Sequence, residues 1–469
     1  MHDTAPRLVE TADGRVVGYR RFGSGPAVAL LHASPRSAAA LLPLGRLLAD
    51  RFTVFAFDTP GFGWSEKLPM ARPDATDFGD ALIAAFDALG LGQVPVYGSH
   101  TGAAIAVAAA VRHPQRVTAL ALDGYAIFTP TEQAEYLATY LAPIRPEWDG
   151  THLAFLWSRV KDQFTFFPWY LRGQYARLRR PLPPLSVLQN VIVDFLAAGD
   201  DYRPGYAAAF RIAGDAMLRR VVVPTTVMAR VDDLLFGHLD LLQNLPATIT
   251  IDRLPADDTA WAAGVAAALR RGVARDAPAI PPLRTQPRRQ GPWTEIVRLP
   301  EGSVGVTCFG GTATGKPLVL LPGIPGSVRG EAALARSLAD HRPVFGIDLP
   351  GFGATSFADQ PDSPAIATRL GTALRLLGII DFDIVACSES AGIGLAMGPA
   401  VVLDPVAHDA RAALLERMAE VTPRSDGTHL LAAWHQLRDM QLWRPWVVPT
   451  PQNAIDFGTD PNVESLMSC

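Results

Sequence analysis

The chain has 469 residues, too many for one ordinary domain, and length alone argues for two or three. Hydrophobic residues at 49% and charged residues at 19% describe a well-cored globular protein and exclude a disordered one. A net charge of −4 gives no electrostatic reason to expect nucleic acid or an anionic membrane as partner.

Elements follow in chain order. Met1 to Pro6 shows no basic segment leading into an apolar core, so no signal peptide is expected. Buried strands are predicted at Pro26–Leu31, Thr53–Phe57, Val94–Tyr97 and Val117–Leu122, with helical spacing at Ala38–Ala49, Asp77–Leu89 and Gly102–Arg112 between them. Strand and helix in alternation predict a parallel sheet covered on both faces. Residues 126–210 break that rhythm with aromatic, Pro-punctuated sequence and read as a helical cap over the carboxyl edge of the sheet, where ligands bind in open α/β sheets. Within it the basic run Arg177-Leu178-Arg179-Arg180 reads as a solvated cap surface. Strands resume at Thr225–Ala229 and Thr248–Ile251, and a Pro- and Arg-rich linker spans 276–292.

A repeat then becomes visible. Phe57-Asp58-Thr59-Pro60-Gly61-Phe62-Gly63 returns as Ile347-Asp348-Leu349-Pro350-Gly351-Phe352-Gly353 at an offset of 290. At the same offset Leu31-His32-Ala33-Ser34-Pro35 matches Leu321-Pro322-Gly323-Ile324-Pro325, and Gly98-Ser99-His100-Thr101-Gly102 matches Ser388-Glu389-Ser390-Ala391-Gly392. Asp149-Gly150-Thr151-His152-Leu153 returns as Asp426-Gly427-Thr428-His429-Leu430 at an offset of 277, with Trp157 and Trp169 following as Trp434 and Trp446. A duplication is the reading: residues 1–275 form one unit, 276–292 the linker and 293–469 a second unit lacking its last strands. The strand edge so exposed is expected to be covered by packing of the two units on one another, by a second chain as in a homodimer, or by the shortened cap.

The HG-like turn His32-Ala33-Ser34-Pro35, the D-x-P-G-F-G turn and the strand–G-x-Nuc-x-G–helix elbow together resemble the α/β-hydrolase family, over nearly all of the first copy and the front two-thirds of the second. The resemblance implies two tandem α/β-hydrolase-like units and a hydrolase acting on a small ester-like substrate. It also implies which groups would act. In the second copy Ser390 takes the nucleophile position, with an oxyanion hole from the backbone N–H groups of Ala391 and Ile324. Asp404 is its candidate acid, and His408, His429 and His435 are the histidines left to serve as base. In the first copy His100 stands where the nucleophile is expected, followed by Thr101, with Ser34 and His32 in the opposing turn. Val231-Asp232-Asp233 falls where the acid belongs, and Asp257-Asp258 where the histidine belongs, so histidine and carboxylate look exchanged.

Three readings stay open. One is a serine hydrolase through Ser390. Another is a lyase or cofactor-free acid/base catalyst using His100 with Asp232 or Asp258. The third is a ligand-binding protein without turnover. Aromatic cap residues Phe164, Phe166, Phe167, Trp169 and Tyr170 predict a pocket for an apolar or aromatic small molecule. His152 and Trp157, repeated in the second copy, read first as cap packing, with a histidine reaching into the pocket as the alternative. Gly310-Gly311-Thr312-Ala313-Thr314-Gly315-Lys316 mimics a phosphate loop, but Pro317 and a following strand make it a hairpin turn instead. No cofactor or metal is expected. The three cysteines, Cys308, Cys387 and Cys469, lie in no ligand spacing, and the reducing cytoplasm is the expected location.

Overall fold

The structure is a computed structural model that describes residues 4–178, 180–272, 275–283, 292–310, 314–323, 327–387, 390–403 and 422–442, the last seven as backbone. It divides into two compact units, Met1–Ile144 with Trp157–Pro281, and Arg145–Leu156 with the described residues from Pro282 onward.

The first unit is built on eight strands: β1 Arg7–Glu10, β2 Val16–Gly23, β3 Ala27–Leu31, β4 Thr53–Phe57, β5 Val94–Ser99, β6 Val117–Asp123, β7 Thr225–Arg230 and β8 Ile249–Leu254. Their order across the sheet is β1-β2-β4-β3-β5-β6-β7-β8. The pairs β1–β2 and β2–β4 are antiparallel, and every pair from β4 to β8 is parallel. All residues of β3 and β4 are buried, as continuous apolar runs are when helices cover both faces of a parallel sheet. The β1–β2 hairpin has a quieter signal. Its turn is Ala12-Asp13-Gly14, with Gly14 at φ +85, a backbone shape that glycine supplies freely.

On one face α1 (Leu42–Leu48) and α9 (Asp258–Leu269) bury Leu44, Leu48, Val265 and Leu269 against the sheet. On the other, α2 (Ala75–Ala88) and α3 (Thr101–Arg112) bury Phe78, Leu82, Phe86 and Ile105. Asp74 starts α2 in a capping box with Asp77. The alanine-rich α3 lets α2 come so close that a Cβ on Gly79 would stand 2.9 Å from the Ala109 nitrogen. Between β6 and β7 the chain leaves the sheet for α4 (Pro130–Thr139), α5 (Thr151–Thr165), α6 (Leu185–Ala198), α7 (Tyr202–Arg211) and α8 (Gly214–Leu218). Inside this insertion the buried Arg159 guanidinium lies 4.5–5.7 Å from the ring centroids of Phe195, Trp169, Tyr140 and Tyr202.

The second, shorter unit contains β9 Trp293–Leu299, β10 Gly302–Cys308, β11 Leu318–Leu321, β12 Val344–Ile347, β13 Ser356–Phe357, β14 Asp383–Cys387 and β15 Ala400–Leu403. Its order β10-β12-β11-β14-β15 repeats β2-β4-β3-β5-β6 of the first sheet, and β9 pairs with β10. Helices α10 (Ala332–Ala339), α11 (Ser363–Leu376), α12 (Ala391–Met397) and α13 (Thr428–Leu442) accompany it. Because β12 lies between β10 and β11, those two strands are not neighbours and do not form the expected hairpin. Among the described residues β15 pairs with β14 alone.

Both D-x-P-G-F-G turns close in the same way. The Asp58 carboxylate accepts from Ala38 and Trp64 backbone N–H groups at 2.6 and 3.0 Å, and Asp348 accepts from Val328 and Ala354 at 2.9 and 3.3 Å. Burial raises the Asp58 carboxyl to about 6 against these lowering hydrogen bonds, and moves Asp348 in the same direction. A Cβ on Gly63 or Gly353 would lie 2.4 or 2.0 Å from the carboxylate, which is why glycine closes each turn. The repeated aspartate is thus a structural clamp.

Candidate active site

The turn after β5 is tight. His100 adopts φ 49 and ψ −107, a shape that side-chain-bearing residues adopt at a cost. Glycines on both sides permit it: a Cβ on Gly98 would meet the Gly102 carbonyl oxygen at 2.3 Å, and one on Gly102 would meet the Leu31 oxygen at 2.5 Å. His100 is thereby held at the apex, at the amino end of α3. Opposite it, the chain leaving β7 turns at Asp233, whose Oδ1 accepts from the Leu235 N–H at 2.7 Å. Asp233 Oδ2 lies 2.9 Å from His100 Nε2.

The electrostatics favour charge on both groups. Burial opposes charge on His100, but the Asp233 charge and hydrogen bond, reinforced by Asp123, prevail and hold the imidazole above its usual 6.5. Burial likewise opposes charge on Asp233, yet His100 and the Leu235 N–H outweigh it, and the carboxyl falls to about 2. Asp123 itself accepts from Tyr97 Oη and Trp261 Nε1, both at 2.8 Å. With Nε2 committed to Asp233, His100 Nδ1 is the ring nitrogen left to exchange a proton with a ligand.

Space adjoins this pair. A cavity of about 230 Å³ is lined by His100, Asp233, Thr101 and Ser34 at its sheet end and by Phe164, Phe167, Tyr206 and Phe210 from the insertion between β6 and β7. Ser34 Oγ is buried and has no hydrogen-bond partner among the described residues. The opposing turn is fixed by His32, whose Nδ1–H donates to the Ala33 carbonyl at 2.9 Å while Nε2 accepts from the Thr59 N–H at 3.0 Å. Burial lowers the His32 pKa to about 4, against the Ala33 hydrogen bond, so the ring is neutral there.

Other expected site residues lie elsewhere. Asp232 and Asp258 do not reach His100. Both bind Arg230 at the surface, at 3.0 and 2.6 Å, and the carboxylate beside His100 belongs to the next residue, Asp233. Ser390 is fully buried, and its single O–H is shared between the Cys387 and Leu321 carbonyl oxygens at 2.9 and 3.1 Å. Its φ of −75 and ψ of −4 are helical, and Ala391 simply opens α12. A Cβ on Gly392 would meet nothing nearer than 3.7 Å, whereas one on Gly102 would meet backbone at 2.5 Å. Asp404 and Ile324 fall outside the described residues.

The histidines at the starts of α5 and α13 do local structural work. His152 Nδ1 accepts from the Glu147 N–H at 3.0 Å, and His429 Nδ1 accepts from the Arg424 N–H at 3.1 Å, the same bond in both repeats. His152 stands edge-on to Trp434, 4.7 Å between centroids, and the Trp434 indole donates to the Trp148 carbonyl at 3.1 Å. Trp157 is buried, and Trp169 donates to the Tyr140 carbonyl at 3.0 Å, so neither tryptophan lines the cavity. Of the five cap aromatics expected there, Phe164 and Phe167 line it. Arg180 lines it as well, instead of lying on a solvated face.

Sequence reasoning missed Gly124, at φ +63, where a Cβ would stand 2.6 Å from both His100 Cδ2 and Nε2. Its only signal was a glycine two residues beyond the predicted strand Val117–Leu122.

The profile described as alpha/beta hydrolase fold matches residues 26–179 and 316–398, half of the chain and parts of both units.

The chain belongs to the α/β-hydrolase fold family.

His100 stands at the turn between β5 and α3, and Asp233 in the turn that follows β7. The chain is 34% identical over 167 residues to 2-(acetamidomethylene)succinate hydrolase of Mesorhizobium japonicum, covering 35% of this chain and 55% of that protein. It is 39% identical over 79 residues to 2-hydroxymuconate semialdehyde hydrolase of a Pseudomonas species, 17% of this chain and 28% of that one. The match thus spans about half the length, or less, of these relatives. Among solved structures, epoxide hydrolase A from Mycobacterium thermoresistibile aligns at a TM-score of 0.46 and 20% identity, over 58% of this chain and 100% of that one. Among the described residues no group of three or more His, Cys, Asp or Glu side chains is placed to hold a metal, and no helix is long and apolar enough to cross a membrane.

Proposed function

We propose that the first unit is a hydrolase that works through His100 and Asp233 instead of a serine, cleaving an ester-like bond of a small, largely apolar substrate. The observation that carries this reading is the 2.9 Å contact between His100 Nε2 and Asp233 Oδ2 at the elbow apex, beside a cavity. In the proposed reaction His100 Nδ1 takes a proton from water as the water oxygen attacks the carbonyl carbon. Negative charge develops on the carbonyl oxygen, and the backbone N–H groups of Thr101 and Ser34 are the nearby donors for it. The tetrahedral intermediate collapses, the carbon–oxygen bond breaks, and the imidazolium returns its proton to the departing alkoxide. Asp233 holds the ring and balances its charge without itself being protonated. The relatives' names, hydrolases in each case, support the class.

A second reading uses the same base to remove a proton from carbon next to a carbonyl. It is favoured by the imidazole standing where a serine oxygen would otherwise attack.

The test is turnover of a panel of small aryl and alkyl esters by the full chain and two variants. The reading expects activity that His100→Gln lowers at least about 100-fold, in line with loss of a general base, and that Ser390→Ala leaves in place. Activity that survives His100→Gln, or a fluorophosphonate adduct on Ser390, contradicts it.

A further inference from the structure

The charges around the cavity of the first unit do not cancel. Three basic side chains line it: Arg36, His100 and Arg180. Arg36 is held by Asp194, Nε to Oδ2 at 2.7 Å, and His100 by Asp233 at 2.9 Å. Arg180 has no acidic partner among the described residues. Its Nε is buried and makes no hydrogen bond, and the guanidinium carbon rests 5.7 Å from the centre of the Phe164 ring. Arg180 is near enough to bias both members of the dyad, lowering the pKa values of His100 and Asp233.

Donors without a protein acceptor gather around the same space. Ser34 Oγ is buried there and unpartnered. Gln163 lines the cavity with its Oε1 taken by Arg159 Nη1 at 3.0 Å, which leaves its amide N–H groups as donors. A buried N–H with no acceptor, as at Arg180 Nε, is costly, and an anion that meets it removes that cost. The remaining walls are Phe and Tyr rings, and 230 Å³ lies below the roughly 300–1,000 Å³ of typical ligand pockets.

We infer that the substrate of this site carries one carboxylate, held at Arg180, on a small aromatic or apolar body. The inference rests on the reading of this cavity as the active site, and it deepens that reading by naming the substrate's charge. A dianion would leave one charge unmatched, and a neutral molecule would leave Arg180 as it stands now.

The experiment is equilibrium binding of phenylacetate and of its uncharged isostere phenylacetamide to the full chain, by calorimetry at neutral pH and moderate salt. The expected result is phenylacetate binding at least tenfold more tightly than phenylacetamide. In Arg180→Met the advantage disappears while affinity for the amide stays within about threefold. Circular dichroism matching the parent shows that Arg180→Met is folded, and Arg180→Lys retains part of the preference. Equal affinities, tighter binding of the amide, an undiminished preference in Arg180→Met, or binding of neither compound overturns the inference. Because affinity is read without turnover, the two proposals fail separately. A carboxylate preference that persists in a protein with no His100-dependent activity sinks the catalytic reading and spares this one.

Discussion

Gly124 lies so close to His100 that a methyl group on it would stand 2.6 Å from the imidazole Nε2 and 3.3 Å from Asp233 Oδ1. The end of β6 therefore sets the position of the dyad through a missing side chain. Gly124→Ala is expected to push the ring off Asp233 and to strain a residue at φ +63, at a cost of about 1–3 kcal/mol. Chemical denaturation measures the stability loss, and any ester turnover should fall at least tenfold. A variant with parental stability and turnover contradicts the placement of His100.

The dyad also makes a prediction about pH. Asp233 has a lowered pKa, so its stabilisation is present above the ordinary 3.8 and is lost as pH falls through about 2. His100 has a raised pKa, so its stabilisation is complete below 6.5 and fades as pH rises through the folded value. Both conditions hold between about pH 4 and 6.5. Asp233→Asn should cost most stability in that window, on the order of 2 kcal/mol, and progressively less on either side. Denaturant midpoints of parent and variant across pH 3 to 9 check it, and a difference that does not vary with pH contradicts it.

Ser390 is expected to matter for stability and not for turnover. Its O–H is shared between two carbonyls in a fully buried corner. Ser390→Ala should lower stability by about 1 kcal/mol through loss of that shared bond. Turnover that falls with the substitution, in protein shown to be folded, contradicts this assignment.

His32 gives a fourth test. It is buried and neutral, with a pKa lowered from 6.5 to about 4. An unfolded chain takes up a proton on this residue as pH drops through 6.5 while the folded one resists, so stability should fall with acid between those values. His32→Gln should remove close to one proton from the pH slope there, and should cost roughly 1–3 kcal/mol at pH 7 where the Thr59 and Ala33 bonds are disturbed. An unchanged slope contradicts the neutral assignment.

Much of the fold was legible because it rests on runs and turns. The strands from Ala27 to Leu122 are continuous apolar segments, and the D-x-P-G-F-G turns announce themselves by glycines that the Asp58 and Asp348 carboxylates leave no room to replace. The site was legible to one residue's precision and no further. Asp232 and Asp233 are adjacent and chemically identical in sequence, and only the turn after β7 decides which carboxylate faces His100 and which meets Arg230 at the surface. Ser390 has a fitting neighbourhood on paper, yet its backbone joins the helix and its hydroxyl turns inward. Arg180 belongs to a basic run whose facing depends on how the cap folds back, which no local pattern encodes.

The most direct test of His100 as a base is a nitrogen-detected NMR titration of that residue in the full chain, assigned by its loss in His100→Gln. If His100 is held by Asp233 as described, its neutral tautomer is protonated at Nε2 with Nδ1 bare, its pKa lies above 6.5, and that pKa falls in Asp233→Asn. A ring protonated at Nδ1, or a pKa at or below 6.5 that Asp233→Asn does not move, would remove the base on which the proposed chemistry depends.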